Sequence, residues 1–475
     1  MASPSVAARA PRRLRVVQIV IKNTSELDYS APLLWKLRRD SIAGEVTVLY
    51  CAPSRRQYLR DSTFYPELFA SLGIREVDFA DFPKRFLSPI AQMVERIFAA
   101  SPSDRPSLKG SLLALRSREP LPKAARGLLG AVGGALKLGM QGLGMRALAI
   151  ERILPTLDPD VVLLGNRSET RFYKRDSFYR YYDRAGRPVV LLPHGTHEVH
   201  PVKEFIPFDE RGEALPPYCD FWSSLRFETP ELNCPGRESQ FAKIGYPGLD
   251  SEWMEFLGSS RSPVPSLPSA APGRLRCLLI LRKFLPEGYP RPINFDPFTL
   301  DYDDMLSHLN LVGDALAGRR ESVEVVIKPH PSNNFPMLKA ILERSTIKHW
   351  VISAEPMYPL LPVIDFAISI FSTSMLLPAM YGRPVIVLNS GLQQYVHERW
   401  SKLADLYTGL RYYLEDSAQL SPTLDMVCEE VKTVGRRRLP RKTPDADHLR
   451  LFFPDGALSA ASKRLDFLLA STGST

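Results

Sequence analysis

Short apolar runs rich in valine, isoleucine and leucine alternate along this chain with longer stretches of helical pattern. The runs RVVQIVI (15–21), EVTVLYC (45–51), DVVLLG (160–165) and RPVVLLPHG (187–195) are typical of strands buried on both faces. The intervening stretches SAPLLWKLRRD and RDSFYRYYDRAG are typical of helices. Regular alternation of this kind predicts an α/β fold built on a parallel sheet.

Near the middle of the chain the alternation gives way to a different composition and then starts again. The stretch GSSRSPVPSLPSAAPGR, which begins at Gly258, is dense in serine and proline and has no apolar period. A chain of 475 residues is also too long for one ordinary core. We therefore predict a domain at 1–258, a linker at 259–274 and a second domain with closing helices at 275–475. Two doubly wound units joined in this way should face a central cleft.

Charge and cysteine usage exclude several classes of protein. The formal charge of +9 favours anionic partners, but lysine and arginine are interspersed with acidic residues, which favours phosphorylated ligands or an anionic membrane over nucleic acid. Five widely spaced cysteines without a CxxC pair indicate neither a disulfide framework nor a zinc ribbon. The apolar run near the N-terminus is short and interrupted by Gln18, so we predict a cytoplasmic protein.

One segment does not fit the alternation. Residues 123–150 are rich in glycine, alanine and leucine, and their charges are cationic over most of the length. A helix lying on the inner face of an anionic membrane would have this composition, which would make the protein peripheral to the membrane. A closely packed core helix is the favoured interpretation, because the glycines weaken an isolated helix.

The stretch VVIKPHPSNN places polar residues directly after an apolar strand. Lys328, His330 and Ser332 would emerge from the carboxyl end of that strand. Lysine offers a phosphate a point charge and histidine offers a directed N–H donor, so the group suits a diphosphate or a nucleotide phosphate. The alternative is a turn whose histidine only caps a neighbouring helix.

About forty residues later a second polar group follows a strand. The stretch VIDFAISIFSTS supplies Ser372, Thr373 and Ser374 in front of a predicted helix. Hydroxyls at a helix N-terminus lie beside free backbone N–H groups and can form an anion site, although plain N-capping would need the same residues. Consecutive crossovers would bring both groups to one sheet edge, where they could hold one phosphate.

The histidine-rich stretch LLPHGTHEVHP follows a strand of the first half. His194, His197 and His200 recur every three residues, but Pro193 and Gly195 argue against the helix that would align them on a metal. We predict instead that one histidine is a general base toward an acceptor hydroxyl. Loop histidines bonded to the backbone are the alternative.

Two further stretches are candidates by position alone. In LRKFLPEGYPRP, Arg282 and Lys283 could face donor phosphates, and Glu287 could serve as a base or a ribose acceptor. A solvated surface turn would explain this stretch equally well. Asn166 follows the DVVLLG run at the same predicted rim.

The order of these motifs resembles that in bacterial surface-polysaccharide transferases of the GT-B type. HGT, KPHP and STS…AMYGRPVI are similar to motifs of the CDP-glycerol glycerophosphotransferases of teichoic acid synthesis. The HP dipeptide followed by the serine and threonine motif also resembles sialyl- and polysialyltransferases and capsule Kdo transferases, whose donors are CMP-linked. The resemblance covers mainly residues 160–390.

The resemblance implies a GT-B-like fold with two Rossmann-like domains, the first binding acceptor and the second the nucleotide donor. It implies that His330 contacts the donor phosphate and that His194 activates the acceptor. The predicted phosphate-binding residues are Lys328, His330, Ser372, Thr373, Ser374 and Arg282. The predicted acceptor-side residues are Gly195, Thr196, His197, Glu198 and Asn166. The sialyltransferase pattern has an acidic pair before glycine, whereas here Pro286 precedes Glu287, so the base stays open between His194 and Glu287.

The predicted activity is metal-independent transfer of a sugar from a CMP-linked donor to a glycan or glycolipid hydroxyl, with the nucleotide donor as substrate and no cofactor. Three alternatives stay open. They are a CDP-polyol phosphotransferase, a UDP-sugar epimerase or transferase on the same fold, and a non-catalytic protein that binds nucleotide or glycan.

Overall fold

The computed structural model describes about three fifths of the chain, and all structural statements below concern that part. The described residues are 14–20, 25–50, 62–78, 81–82, 150–165, 186–193, 219–226, 236, 238–259, 267, 271–289, 299–331, 333–370, 372–389, 401–435 and 440–472.

The first sheet has seven described strands, in the order β3-β2-β1-β4-β5-β6-β7. The strands are β1 Leu14–Val20, β2 Ala43–Tyr50, β3 Arg75–Asp78, β4 Val161–Gly165, β5 Val189–Leu192, β6 Cys219–Ser223 and β7 Phe241–Lys243. Every pairing in it is parallel. β5 is buried throughout, and β4 is buried except at its last residue, as expected for apolar runs covered on both faces.

The second sheet has six described strands, in the order β10-β9-β8-β11-β12-β13, and its pairings are also parallel. The strands are β8 Leu275–Ile280, β9 Val323–Lys328, β10 Trp350–Ile352, β11 Phe366–Ser369, β12 Val385–Leu388 and β13 Tyr412–Leu414.

Both sheets are doubly wound from their first strand. β1 lies between β2 and β4, and β8 lies between β9 and β11, so the strand order reverses beside β1 in one sheet and beside β8 in the other. The prediction of two Rossmann-like doubly wound domains is confirmed. In such sheets, ligands bind outside the carboxyl ends of the strands at the point of reversal.

Helices connect the strands. Those associated with the first sheet are α1 Ser25–Arg39, α2 Phe64–Ser71, α3 Ile150–Leu157 and α4 Ser251–Ser259. Those of the second are α5 Tyr302–Ala315, α6 Phe335–Arg344, α7 Met357–Leu360, α8 Leu376–Met380, α9 Ser401–Thr408 and α10 Leu420–Val434. The chain closes with α11 Pro444–Arg450 and α12 Ala457–Thr472.

The last helix, α12, returns to the first domain, whereas α11 packs against α8 of the second. α12 packs against α1, and the Arg464 guanidinium forms an ion pair with the buried carboxylate of Asp220 in β6. The backbone N–H of Leu458 donates to Asp250 Oδ2 at 3.0 Å. The predicted linker at 259–274 lies largely outside the described residues, and its bounds stay a prediction.

A buried apolar layer joins the two domains beneath the cleft. Tyr358 of α7 is fully buried and meets Trp253 of α4 edge-on, with ring centroids 5.2 Å apart. The same cluster contains Met380 of α8 and Leu249 beside α4. Burying each side chain of this size stabilises the folded state by about 1.5–3 kcal/mol, so the contact should hold the two sheets in a defined relation.

Among the described helices, none is both long enough and apolar enough to cross a membrane. Residues 123–149 are outside the described part, so the two interpretations of that segment stay predictions.

Candidate functional site

A cavity lies between the two domains, at the carboxyl ends of strands from both sheets. It encloses about 580 Å³, counting the solvent at its mouth. Its lining follows β1 and β2 in the first domain and β8, β9, β10 and β11 in the second. The lining residues are Asp28, Ser62, Tyr65, Ile280, Leu281, Lys328, Pro329, His330, Pro331, Ala354, Pro356, Met357, Ser372 and Ser374.

The KPHP turn forms the floor of this cavity on the second-domain side. β9 ends at Lys328, whose carbonyl accepts a hydrogen bond from the N–H of Leu281 at 2.9 Å. The carbonyl of His330 accepts from the N–H of Asn333 at 2.9 Å, which closes the turn. Asn334 then caps α6 by accepting from the N–H of Met337 at 3.1 Å. Lys328 and His330 are thus held where the strand ends.

Lys328 is the central charge of the cavity. Its side chain lines the cavity, is only 8% exposed, and has no hydrogen bond or ion pair to any described residue. Burial lowers the pKa of Lys328 to about 8, although the charges of Asp28 and Glu355 act to raise it. The amine therefore keeps its proton at neutral pH and can attract an anion.

The STS stretch adds hydroxyl groups beside this lysine. Ser372 begins a short 3-10 helix at Thr373–Met375, and its Oγ accepts from the N–H of Ser374 at 3.4 Å. The capping alternative is therefore realised. Ser372 and Ser374 nevertheless line the cavity together with Lys328, while Thr373 lies in the same turn but does not line the cavity.

The first domain contributes a carboxylate that the sequence analysis did not identify. Asp28 lies in the first turn of α1, and its Oδ1 accepts a hydrogen bond from the Tyr65 hydroxyl. Its backbone carbonyl accepts from the hydroxyls of Tyr246, at 3.3 Å, and Tyr358. Burial raises the pKa of Asp28 to about 6, despite the hydrogen bond from Tyr65 and the charge of Lys328. Asp28 is therefore ionised at neutral pH and faces Lys328 across the cleft.

Glu287 does not line the cavity. Its carboxylate is 63% exposed and forms an ion pair with Arg344 Nη1 at 2.9 Å. Gly288 has a φ of +68°, and the N–H of Tyr289 donates to the carbonyl of Pro286, so this stretch is a tight turn at the surface. The structure thus places Glu287 in the solvated turn that was the alternative interpretation.

Arg282 is close to the cavity but does not line it. Its side chain is 7% exposed, and its charge acts on the buried hydroxyl of Tyr407 in α9. Its carbonyl accepts a hydrogen bond from Asn333 Nδ2 at 2.9 Å, which ties the β8 end to the KPHP turn. The neighbouring Leu281 occupies the cavity wall instead.

The acceptor-side prediction lies outside the described residues. β5 ends at Leu192, and the description stops at Pro193. The predicted residues beyond this point are His194, Gly195, Thr196, His197 and Glu198, and Asn166 and Ser332 are also outside. Their roles stay predictions.

Comparison with known proteins places the fold. No family model matches the sequence, and no curated protein is similar to it. A putative UDP-N-acetylglucosamine 2-epimerase from Listeria monocytogenes is similar in structure, with 14% identity, 98% of each chain covered and a TM-score of 0.50. The chain has a GT-B fold. The structures of another UDP-N-acetylglucosamine 2-epimerase (12% identity, 98% of each chain, TM-score 0.48) and of a calicheamicin glycosyltransferase (13%, 97% of this chain and 99% of the other, 0.44) also match.

Proposed function

We propose that this GT-B protein is a transferase that binds the phosphate of a nucleotide-activated donor in the cavity between its domains. The observation that carries the proposal is the burial of the Lys328 side chain at the wall of this cavity. A buried ammonium that faces a cavity and has no counter-ion within hydrogen-bond reach among the described residues is costly, and an anionic ligand would offset that cost.

The groups around Lys328 favour a phosphate over a simple carboxylate. His330 offers a ring nitrogen, and Ser372 and Ser374 offer hydroxyls, in the same cavity. A tetrahedral phosphate has three or more oxygens to satisfy, and a lysine with several neutral donors can satisfy them from different directions. The cavity also lies where doubly wound sheets place nucleotides.

The proposed reaction uses this site to stabilise a leaving group. The acceptor hydroxyl oxygen forms a bond to the transferred carbon or phosphorus, and the bond from that atom to the nucleotide phosphate oxygen breaks. The departing nucleotide phosphate takes the electron pair, and Lys328 stabilises its growing charge. His194, from the acceptor side, takes the hydroxyl proton.

In finer detail, we propose that the donor is a cytidine nucleotide and that the acceptor belongs to a bacterial surface polysaccharide. This proposal is supported by the order of the HGT, KPHP and STS motifs. Transfer of a sugar from CMP and transfer of glycerol phosphate from CDP-glycerol both release CMP, so one assay covers the two reactions.

The test is a donor panel with the purified full chain. CMP-sialic acid, CMP-Kdo, CDP-glycerol and UDP-N-acetylglucosamine are each incubated with and without a mixture of oligosaccharide acceptors, and the released nucleotide is quantified. We expect acceptor-dependent release of CMP. Conversion of UDP-N-acetylglucosamine without acceptor would favour an epimerase of the kind named for the Listeria protein. Failure of the chain to consume any of these donors would contradict the proposal.

A further inference from the structure

Glu355 is a buried carboxylate of the second domain that is held by the first. It follows β10, and its side chain is 1% exposed. Its Oε2 accepts a hydrogen bond from Ser62 Oγ at 2.6 Å, and its Oε1 accepts from the N–H of Thr63 at 3.4 Å. Both donors lie at the start of α2 in the first domain. This carboxylate therefore joins the domains through polar contacts.

Glu355 lies beside the wall of the proposed phosphate site. Its two neighbours, Ala354 and Pro356, line the cavity, and so does its partner Ser62. The negative charges of Glu355 and of Asp28 both favour the charged form of Lys328. Each domain thus supplies one carboxylate to the same buried lysine.

We propose that Glu355 is a positioning residue of the phosphate site, which holds the start of α2 against the cavity wall beside Lys328 and makes phosphate binding depend on contact between the two domains. This inference rests on the proposed function. It assigns to the first domain a part in donor binding that a division into acceptor and donor domains does not include.

Burial and the neighbouring carboxylates act on the charge of Lys328 in opposite directions. Burial favours the neutral amine, and the neighbouring carboxylates favour the ammonium, with the balance at a pKa of about 8. Anion binding by an ammonium is present below its pKa and is lost as pH rises through it. Removing the charge of Glu355 should lower the pKa of Lys328 further. Anion binding should then be lost at a lower pH than in the wild type.

Other titratable groups also face Lys328, and the variant Lys328→Arg separates their effects from that of the lysine amine. They are Asp28 from α1, Tyr65 from α2 and His330 from the KPHP turn. Asp28 has a pKa of about 6, and burial raises the pKa of Tyr65 well above its ordinary value, so both should titrate outside the range from 7 to 9. Lys328→Arg keeps these three groups and removes only the amine that titrates.

The test measures CMP and CDP affinity by calorimetry between pH 6.5 and 9.5. In the wild type we expect affinity to fall as pH rises through about 8. In Glu355→Gln the fall should occur roughly one pH unit lower. Glu355→Asp retains the charge and should keep the wild-type profile, and Lys328→Arg should show no fall. Glu343→Gln, which changes an exposed carboxylate on α6, is the matched control.

The outcomes separate this inference from the proposed function. If the wild type binds neither nucleotide, the cytidine-nucleotide donor of the proposed function is wrong and the inference falls with it. If the wild type binds and Glu355→Gln leaves the pH profile in place, or if Glu355→Asp moves it as far, only the inference is wrong. Glu355→Met is a second neutral variant should the amide prevent folding, because apolar residues are often tolerated in place of buried charges.

Discussion

His194→Ala is expected to reduce donor turnover by roughly two to four orders of magnitude, the usual contribution of a general base. His194 is the histidine of the LPHGT stretch and comes soon after β5, which ends at Leu192. The transfer reaction needs a group that takes the proton of the acceptor hydroxyl. Nucleotide affinity should be unchanged, because the proposed phosphate contacts come from the second domain. Steady-state release of CMP and calorimetric binding of CMP measure the two quantities separately.

A second histidine provides the control for this variant. His200 lies in the same stretch and is assigned no role in the reaction, so His200→Ala should turn over donor at the wild-type rate. Equal activity of His194→Ala and the wild type would contradict the role of His194 and favour a protein that only binds nucleotide or glycan. Equal losses of turnover in both variants would indicate that activity depends on the segment as a whole and not on one imidazole.

Lys328→Met is expected to weaken CMP or CDP binding by about tenfold to a hundredfold, the effect of losing a hydrogen bond to a charged group. Methionine has a similar length and lacks the charge, so it should fill the buried space that Lys328 occupies. The free energy of unfolding should not fall, because the variant removes a buried charge that has no close counter-ion among the described residues.

Lys339 supplies a matched control on the same domain. Its side chain on α6 is 66% exposed, and Lys339→Met removes the same formal charge from the protein. If both variants weaken nucleotide binding equally, the effect comes from net charge and not from the cavity. If Lys328→Met binds as tightly as the wild type, the phosphate site is not at the KPHP turn.

The fold and one side of the site could be predicted because their signals are local. The runs DVVLLG and RPVVLL become β4 and β5, since a strand buried on both faces has to be apolar throughout. KPHP and STS each follow such a strand, and the carboxyl ends of parallel strands share one edge. That rule is enough to predict that Lys328 and Ser372 line one cavity, which the structure shows. Their roles in binding stay proposals.

The contribution of the first domain could not be predicted from these patterns. Ser62 and Glu355 are 293 residues apart, and no local period relates them. Asp28 has the appearance of an ordinary acidic residue in the first turn of a helix, where the helix dipole favours it. Only its place after β1, where the strand order of the first sheet reverses, could have indicated a site residue. Glu287 shows that position after a strand does not by itself bring a side chain to the cavity, because its carboxylate is exposed and pairs with Arg344.

The central claim is that the cavity between the domains binds a nucleotide, and thermal unfolding in the presence of nucleotides tests it most directly. CMP, CDP, UMP, UDP, ADP and GDP would be added in turn to the wild type and to His330→Ala. At about a hundred times its dissociation constant, a bound nucleotide should stabilise the folded protein by roughly 2.7 kcal/mol. We predict that CMP or CDP stabilises the wild type and that the effect is lost in His330→Ala. A preference for UDP would contradict the cytidine donor, and no response to any of the six nucleotides would contradict the claim itself.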